Sequence, residues 1–118
     1  MYKGKGFLER LRCAIQGIFI AFRQESSFRF QIAAAVLACL SLFFFHPALF
    51  WSALVLIMIA LVLAAELFNT AIEHVLDGLH PDEAEFVRIA KDCAAAAVLV
   101  LSMASILVFF LMVASVSK

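Results

Sequence analysis

The chain has 118 residues, 66% of them hydrophobic and only 15% charged, with a mean hydropathy of +1.08. A water-soluble domain is nearer 45–50% apolar and about 25% charged, so a soluble fold is excluded and one membrane-embedded domain, 1–118, is expected. Formal net charge is zero; no nucleic-acid partner is expected, and the charges that exist are unevenly distributed.

The N-terminal segment is polar, and no small-residue cleavage site follows a short apolar core, so no secretory signal is expected. Phe7, Leu8, Leu11, Ile15, Ile18, Phe19 and Phe22 recur at helical spacing among Arg10, Arg12 and Gln16. The pattern predicts an amphipathic helix over about 6–26, lying on the membrane surface, packed on protein, or both.

No Lys, Arg, Asp or Glu occurs from Phe30 to Ala65, nor from Cys93 to Ser117. A crossing helix needs about 20 apolar residues. The second stretch supplies one span, about 90–114. The first is too long for one and is broken by His46-Pro47, because proline removes a backbone donor and disfavours helix before it. Two spans are therefore predicted there, about 29–45 and 48–77. Around their turn, Phe43, Phe44, Phe45 and Phe50 read as lipid-facing, and Trp51 as an interfacial anchor. Gly78 is the expected stop of the second span. His80-Pro81-Asp82-Glu83 resembles a new helix start, with proline early and acids in the first turn.

Cys13, Cys39 and Cys93 have no close pairing and read as small buried hydrophobes, without a disulfide or zinc site. His46, His74 and His80 read as turn or interface residues. Lys3, Lys5, Arg10, Arg12, Arg23 and Arg29 precede the first span, Arg88 and Lys91 lie between the second and third, and only Lys118 falls on the opposite side. The positive-inside rule then predicts a cytoplasmic N-terminus and 77–92 loop, and an outer C-terminus.

Glu66, Asn69, Thr70, Glu73 and Asp77 sit at i, i+3, i+4, i+7 and i+11. At 3.6 residues per turn they share one narrow helix face. Glu66 closes a long apolar run. Burying a charge there costs about 2.5–3.5 kcal/mol on insertion scales, and such residues normally face a bundle interior or a watery cavity. A polar seam joining helices is the bland alternative, but five polar residues with three acids exceed what a seam needs. Glu25, Lys91 and Asp92 belong to the same interface. Several carboxylates and one lysine suit Mg2+ carrying a phosphate, with a further carboxylate accepting an alcohol proton. No P-loop and no kinase-type glycine loop is present.

The run Glu66-Leu67-Phe68-Asn69-Thr70-Ala71-Ile72-Glu73-His74-Val75-Leu76-Asp77, followed by Ala90-Lys91-Asp92 and preceded by Glu25-Ser26-Ser27-Phe28-Arg29, resembles the signature of the prokaryotic diacylglycerol kinase family. The resemblance covers about 6–112 of the sequence. It implies an all-α membrane protein, an amphipathic surface helix plus three transmembrane helices per subunit, assembled as a homotrimeric bundle in the bacterial cytoplasmic (inner) membrane. It implies a lipid kinase using ATP and Mg2+, with Glu66 as the general base on the lipid hydroxyl and Glu25 and Glu73 as metal ligands. By the same resemblance Lys91 and Asp92 contact the nucleotide phosphates, Asp82 and Glu83 lie where the loop approaches the nucleotide, and Asn69 and Asp77 support the site. Phe28 and Arg29 match the block beside the lipid entrance.

Phe68 and Leu76 replace smaller aliphatic residues, Cys13 stands where some members have an aromatic residue, and an N-terminal arginine has no clear counterpart. Nucleotide contacts from residues 5–16 are thus left open. The family divides between diacylglycerol and undecaprenol as acceptor; diacylglycerol is the leading expectation. A proton-coupled transporter built on Glu66, or a structural subunit of a larger complex, are the readings from other classes. The crowding of polar residues at one interface disfavours the first, and the aligned acids with Lys91-Asp92 disfavour the second.

Overall fold

A computed structural model describes residues 6–82 and 84–117. The expectation for Glu83 falls outside the described residues, as do Lys3, Lys5 and Lys118. Four helices follow in order: α1 (Phe7–Gln24), α2 (Ser26–Phe45), α3 (Leu49–Leu79) and α4 (Glu85–Val116). Of these, α2, α3 and α4 are long and apolar enough to cross a membrane. The expected all-α architecture of one amphipathic helix and three spans is thus observed.

At 1.5 Å per residue, the 20 residues of α2 cover about 30 Å, the thickness of a hydrocarbon core. The 31 and 32 residues of α3 and α4 run about 46–48 Å. The longer pair therefore extends past the start of α2 as a two-helix prong, and that projecting end carries the acids. α3 packs along α4 and, less extensively, along α2. Its buried positions, Val55, Val62, Glu66 and Thr70, are spaced seven, four and four apart, which places them on one stripe facing its neighbours.

Outside that stripe the surface is apolar. Leu37, Phe43, Phe44, Phe50, Leu99, Met103 and Phe110 are all exposed in the single chain, as a protein solvated by lipid or by further copies of itself requires. α1 buries only Ala21 and leaves Phe7, Leu8, Leu11, Ile15 and Phe19 uncovered. Of the two placements left open by its sequence, this supports the membrane surface, with protein contact confined to one edge. None of the three cysteines is buried as expected: Cys13 and Cys39 are half-buried and Cys93 is exposed, α4 turning the next residue, Ala94, inward instead.

The two turns have different causes. At the α2–α3 turn, His46 takes a left-handed conformation (φ 48°), and its N–H donates to the Leu42 carbonyl at 3.1 Å. This closes α2 in the manner of a glycine cap, and Pro47 prevents continuation. At the other end α3 does not stop at Gly78. It runs on to Leu79, and His80 leaves the helix at φ −147°, since the residue before a proline is driven to extended backbone. The expected helix start at Pro81-Asp82 is also displaced. Ala84 donates to the Asp82 carbonyl in a turn, α4 begins at Glu85, and Glu85 is its first-turn acid. The third span is consequently one helix that already contains Arg88, Lys91 and Asp92.

A left-handed conformation costs roughly 1–2 kcal/mol for any residue with a Cβ, which His46 already bears, and β-branching makes it worse, so His46→Val is expected to lower stability. His46→Gly should leave it equal or higher. Thermal denaturation in detergent micelles reads both.

Candidate active site

The chain turns from α1 into α2 through a single extended residue, Glu25 (φ −114°, ψ 110°). The last carbonyls of any helix lack partners. Here Arg29 supplies them, its Nη1 donating to the Phe22 carbonyl at 2.7 Å and the Arg23 carbonyl at 3.0 Å. Phe28, next to it, is 2% exposed. These two residues hold the elbow between α1 and α2. In the single chain the Phe28 ring is buried, and the exposed Arg29 guanidinium is bonded to backbone.

The elbow brings the first turn of α2 against α3. Ser27 Oγ donates to Glu66 Oε1 at 3.1 Å. Glu66 is only 3% exposed, and Thr70, one turn on, is 7% exposed. Between them Asn69 Oδ1 is buried without a hydrogen-bond partner among the described residues. An orphaned buried acceptor costs about 1–3 kcal/mol, so the fold carries this amide at a loss.

Glu73 is half-buried and Asp77 exposed. Asp77 receives a 2.7 Å hydrogen bond from Lys91 Nζ, which ties the prong of α3 and α4 together. Asp92 pairs with Arg88 at 3.5 Å on its own helix, both side chains being well exposed; such a pair contributes little to stability. Asp82 is exposed in the α3–α4 connection. The candidate residues thus form two tiers. Buried Glu66 and Thr70, with half-buried Asn69 and the more exposed Ser27 at its edge, make a buried tier at the level where α2 starts. Asp77, Lys91, Arg88 and Asp92 make an exposed one, with Asp77 about 16 Å farther along α3 by helical rise. Glu73 lies between them, and Glu25 stands at the elbow beside the buried tier.

No three His, Cys, Asp or Glu side chains among the described residues converge as a closed metal site. Mg2+ that accompanies phosphates takes one or two carboxylates, with phosphate oxygens and water completing the shell. Half-buried Glu25 and Glu73, with the unpartnered Asn69 Oδ1 nearby in sequence, have the chemistry for that role.

Sequence patterning missed Ser27. Its signal was present as a hydroxyl two residues after Glu25, yet the α2–α3 register that sets it opposite Glu66 is not encoded in spacing along either helix.

The profile described as prokaryotic diacylglycerol kinase matches residues 12–113. The chain belongs to the prokaryotic diacylglycerol kinase family. Relatives within reach carry two different names. A diacylglycerol kinase of Synechocystis sp. is 33% identical over 102 residues, 86% of this chain and 58% of that protein. An undecaprenol kinase of Bacillus subtilis is 31% identical over 93 residues, 79% of this chain and 76% of the relative. A diacylglycerol kinase of Haemophilus influenzae is 30% identical over 103 residues, 85% and 87% of the two chains. The match spans little more than half of the Synechocystis protein, 58%. The segments around Glu25, Glu66 and Lys91 all fall within the matched residues.

Replacing Asn69 by Leu removes the orphaned acceptor, so thermal stability is expected to stay level or rise by about 1 kcal/mol. Ser27→Ala, which strips a buried carboxylate of its donor, is expected to lower stability by a similar amount. Melting of the two variants in the same detergent checks both signs.

Proposed function

We propose that the chain is an ATP- and Mg2+-dependent lipid kinase that phosphorylates a membrane alcohol, diacylglycerol in the first instance. The single observation that carries this reading is Glu66: a carboxylate 3% exposed, on an otherwise apolar membrane helix, with one oxygen engaged by Ser27. A carboxylate in that setting is poised to take a proton from an alcohol delivered within the bilayer. Membership of the family supports the reaction class.

On this reading the lipid approaches sideways, with its tails in hydrocarbon and its hydroxyl at the buried tier. Glu66 takes the hydroxyl proton. The alcohol oxygen bonds to the γ-phosphorus as the bond from that phosphorus to the β-bridging oxygen breaks, and ADP leaves. Ser27 holds one oxygen of Glu66 so that the other faces the hydroxyl. Glu25 and Glu73 would hold the Mg2+, which when bound neutralises phosphate charge. Lys91 would meet the nucleotide phosphates after exchanging Asp77 for them, with Asp92, Asp77 and Asn69 in support. Asp82 and Glu83 would border the nucleotide. Positioning and charge neutralisation then supply most of the rate.

The basic residues before α2 and between α3 and α4 support a cytoplasmic placement of this end, in a bacterial inner membrane. The uncovered apolar surfaces of α2 and α4 support self-association, and the trimer is the number implied by the family. Undecaprenol is the second reading of the acceptor, favoured by the similarity to the Bacillus subtilis relative. A transporter fits poorly, because beyond Gln31 and Val62 the interior toward the His46 turn is overwhelmingly apolar.

Phosphate transfer from labelled ATP by purified protein in mixed micelles is expected to label diacylglycerol, and to stop when EDTA removes divalent ions. Glu66→Gln should lower kcat at least 100-fold, the low end for loss of a general base, with the protein still folded. Retained turnover in that variant would remove the base assignment. Ser27→Ala should lower kcat severalfold at unchanged KM for ATP, with recovery in Ser27→Thr.

A further inference from the structure

A cavity of about 430 Å3 lies between α2, α3 and α4. Its wall is apolar over most of its length, with Leu37, Val55, Val62 and Phe109 among the lining residues, and three polar side chains also reach it: Gln31, Ser41 and Ser105. The two serines spend their hydroxyl hydrogens on their own helices, Ser41 on the Leu37 carbonyl at 2.9 Å and Ser105 on the Ser102 carbonyl at 2.8 Å. Gln31 differs. Its Nε2 donates to Ser102 Oγ at 3.0 Å across the α2–α4 contact. A glutamine amide has two hydrogens and a carbonyl oxygen, so a single bond leaves most of its capacity unused at the rim of an apolar space.

The location of that amide gives it meaning. Gln31 is one turn beyond Ser27 on α2, and Val62 is one turn before Glu66 on α3; each step is about 5–6 Å of helix. The cavity therefore begins within a turn of the Ser27–Glu66 hydrogen bond and extends away from the polar end of the bundle, toward the His46 turn. An alcohol placed at Glu66 would have its tail in the cavity and Gln31 beside the atoms that join the two.

We propose that Gln31 is a specificity residue that hydrogen-bonds an ester carbonyl of an acylglycerol acceptor, and so selects a glycerolipid over a polyprenol. The inference rests on the kinase reading and deepens it. In a diacylglycerol the free hydroxyl and the nearest ester carbonyl are only a few bonds apart, which suits a donor one helical turn from the base. A polyprenol has bare hydrocarbon at that point. It would cover the amide without pairing it, and a site that hydrogen-bonds one substrate discriminates strongly against an analogue lacking the group. A Gln–Ser pair that merely joins two membrane helices accounts for the bond to Ser102, but not for the lining of the cavity beside Glu66 by the same side chain.

The test compares labelled-ATP phosphorylation of three acceptors by the intact protein in mixed micelles: a 1,2-diacylglycerol, the matched 1,2-dialkylglycerol ether, which has no carbonyl, and undecaprenol. The wild-type chain is expected to favour diester over diether by about tenfold in kcat/KM. Gln31→Met, of similar length without the amide, should collapse that ratio toward one. Equal wild-type rates on diester and diether would overturn the proposal without need of any variant. So would a ratio preserved in Gln31→Met, or a preference for undecaprenol, each leaving the kinase reading intact. Absence of labelling of all three lipids by folded protein would instead overturn the kinase reading, and this proposal with it.

Discussion

A carboxylate held where hydrocarbon begins sets the terms for the rest of this molecule. An ionisable group on an apolar helix has to be turned inward and given polar company. Glu66 obtains that company from Ser27, which stands at the start of another helix. The hydroxyl arrives there because the chain changes direction in one residue at Glu25, and the elbow holds because Arg29 occupies the open carbonyls of α1. Surface helix, elbow and first span thus form one support for a single side chain.

The different lengths of the spans follow the same logic. α2 is as long as the hydrocarbon is thick, while α3 and α4 overrun it. The overrun separates two environments along one helix face: buried and nearly dry at Glu66 and Thr70, exposed and ion-paired at Asp77. A phosphoryl donor is anionic and soluble, and its acceptor is apolar and confined to the bilayer. A face that crosses from one environment to the other allows both to be met without moving either far from its own solvent. The unpartnered amide oxygen of Asn69 lies on the buried side, at a cost to stability that a bound ligand would relieve. Such exchange of stability for readiness is common at functional sites.

The helices and their apolar character were legible because the bilayer imposes them directly: uncharged runs of about 20 residues have one physical reading. The polar face of α3 was equally legible, since residues three, four, seven and eleven apart must share a side. Helix ends were read less well. Gly78 is helical because proline, not glycine, ends α3, and α4 starts at Glu85 because a local turn at Asp82 intervenes. The bracing of the elbow by buried Phe28 and by exposed Arg29, bonded to the carbonyls of α1, had no signal in spacing.

Sequence by itself determined that the protein is helical, that it spans a membrane three times, and that its acids line one face of α3. These follow from local periodicity and from the incompatibility of charge with hydrocarbon. Only the tertiary structure decided that Ser27 meets Glu66, that Lys91 meets Asp77, and that Gln31 reaches both Ser102 and the cavity between the spans. Each of those contacts joins residues on different helices. Their formation depends on how far one helix slides and turns against another, and that register comes from packing of the whole bundle, which no spacing along a single helix records.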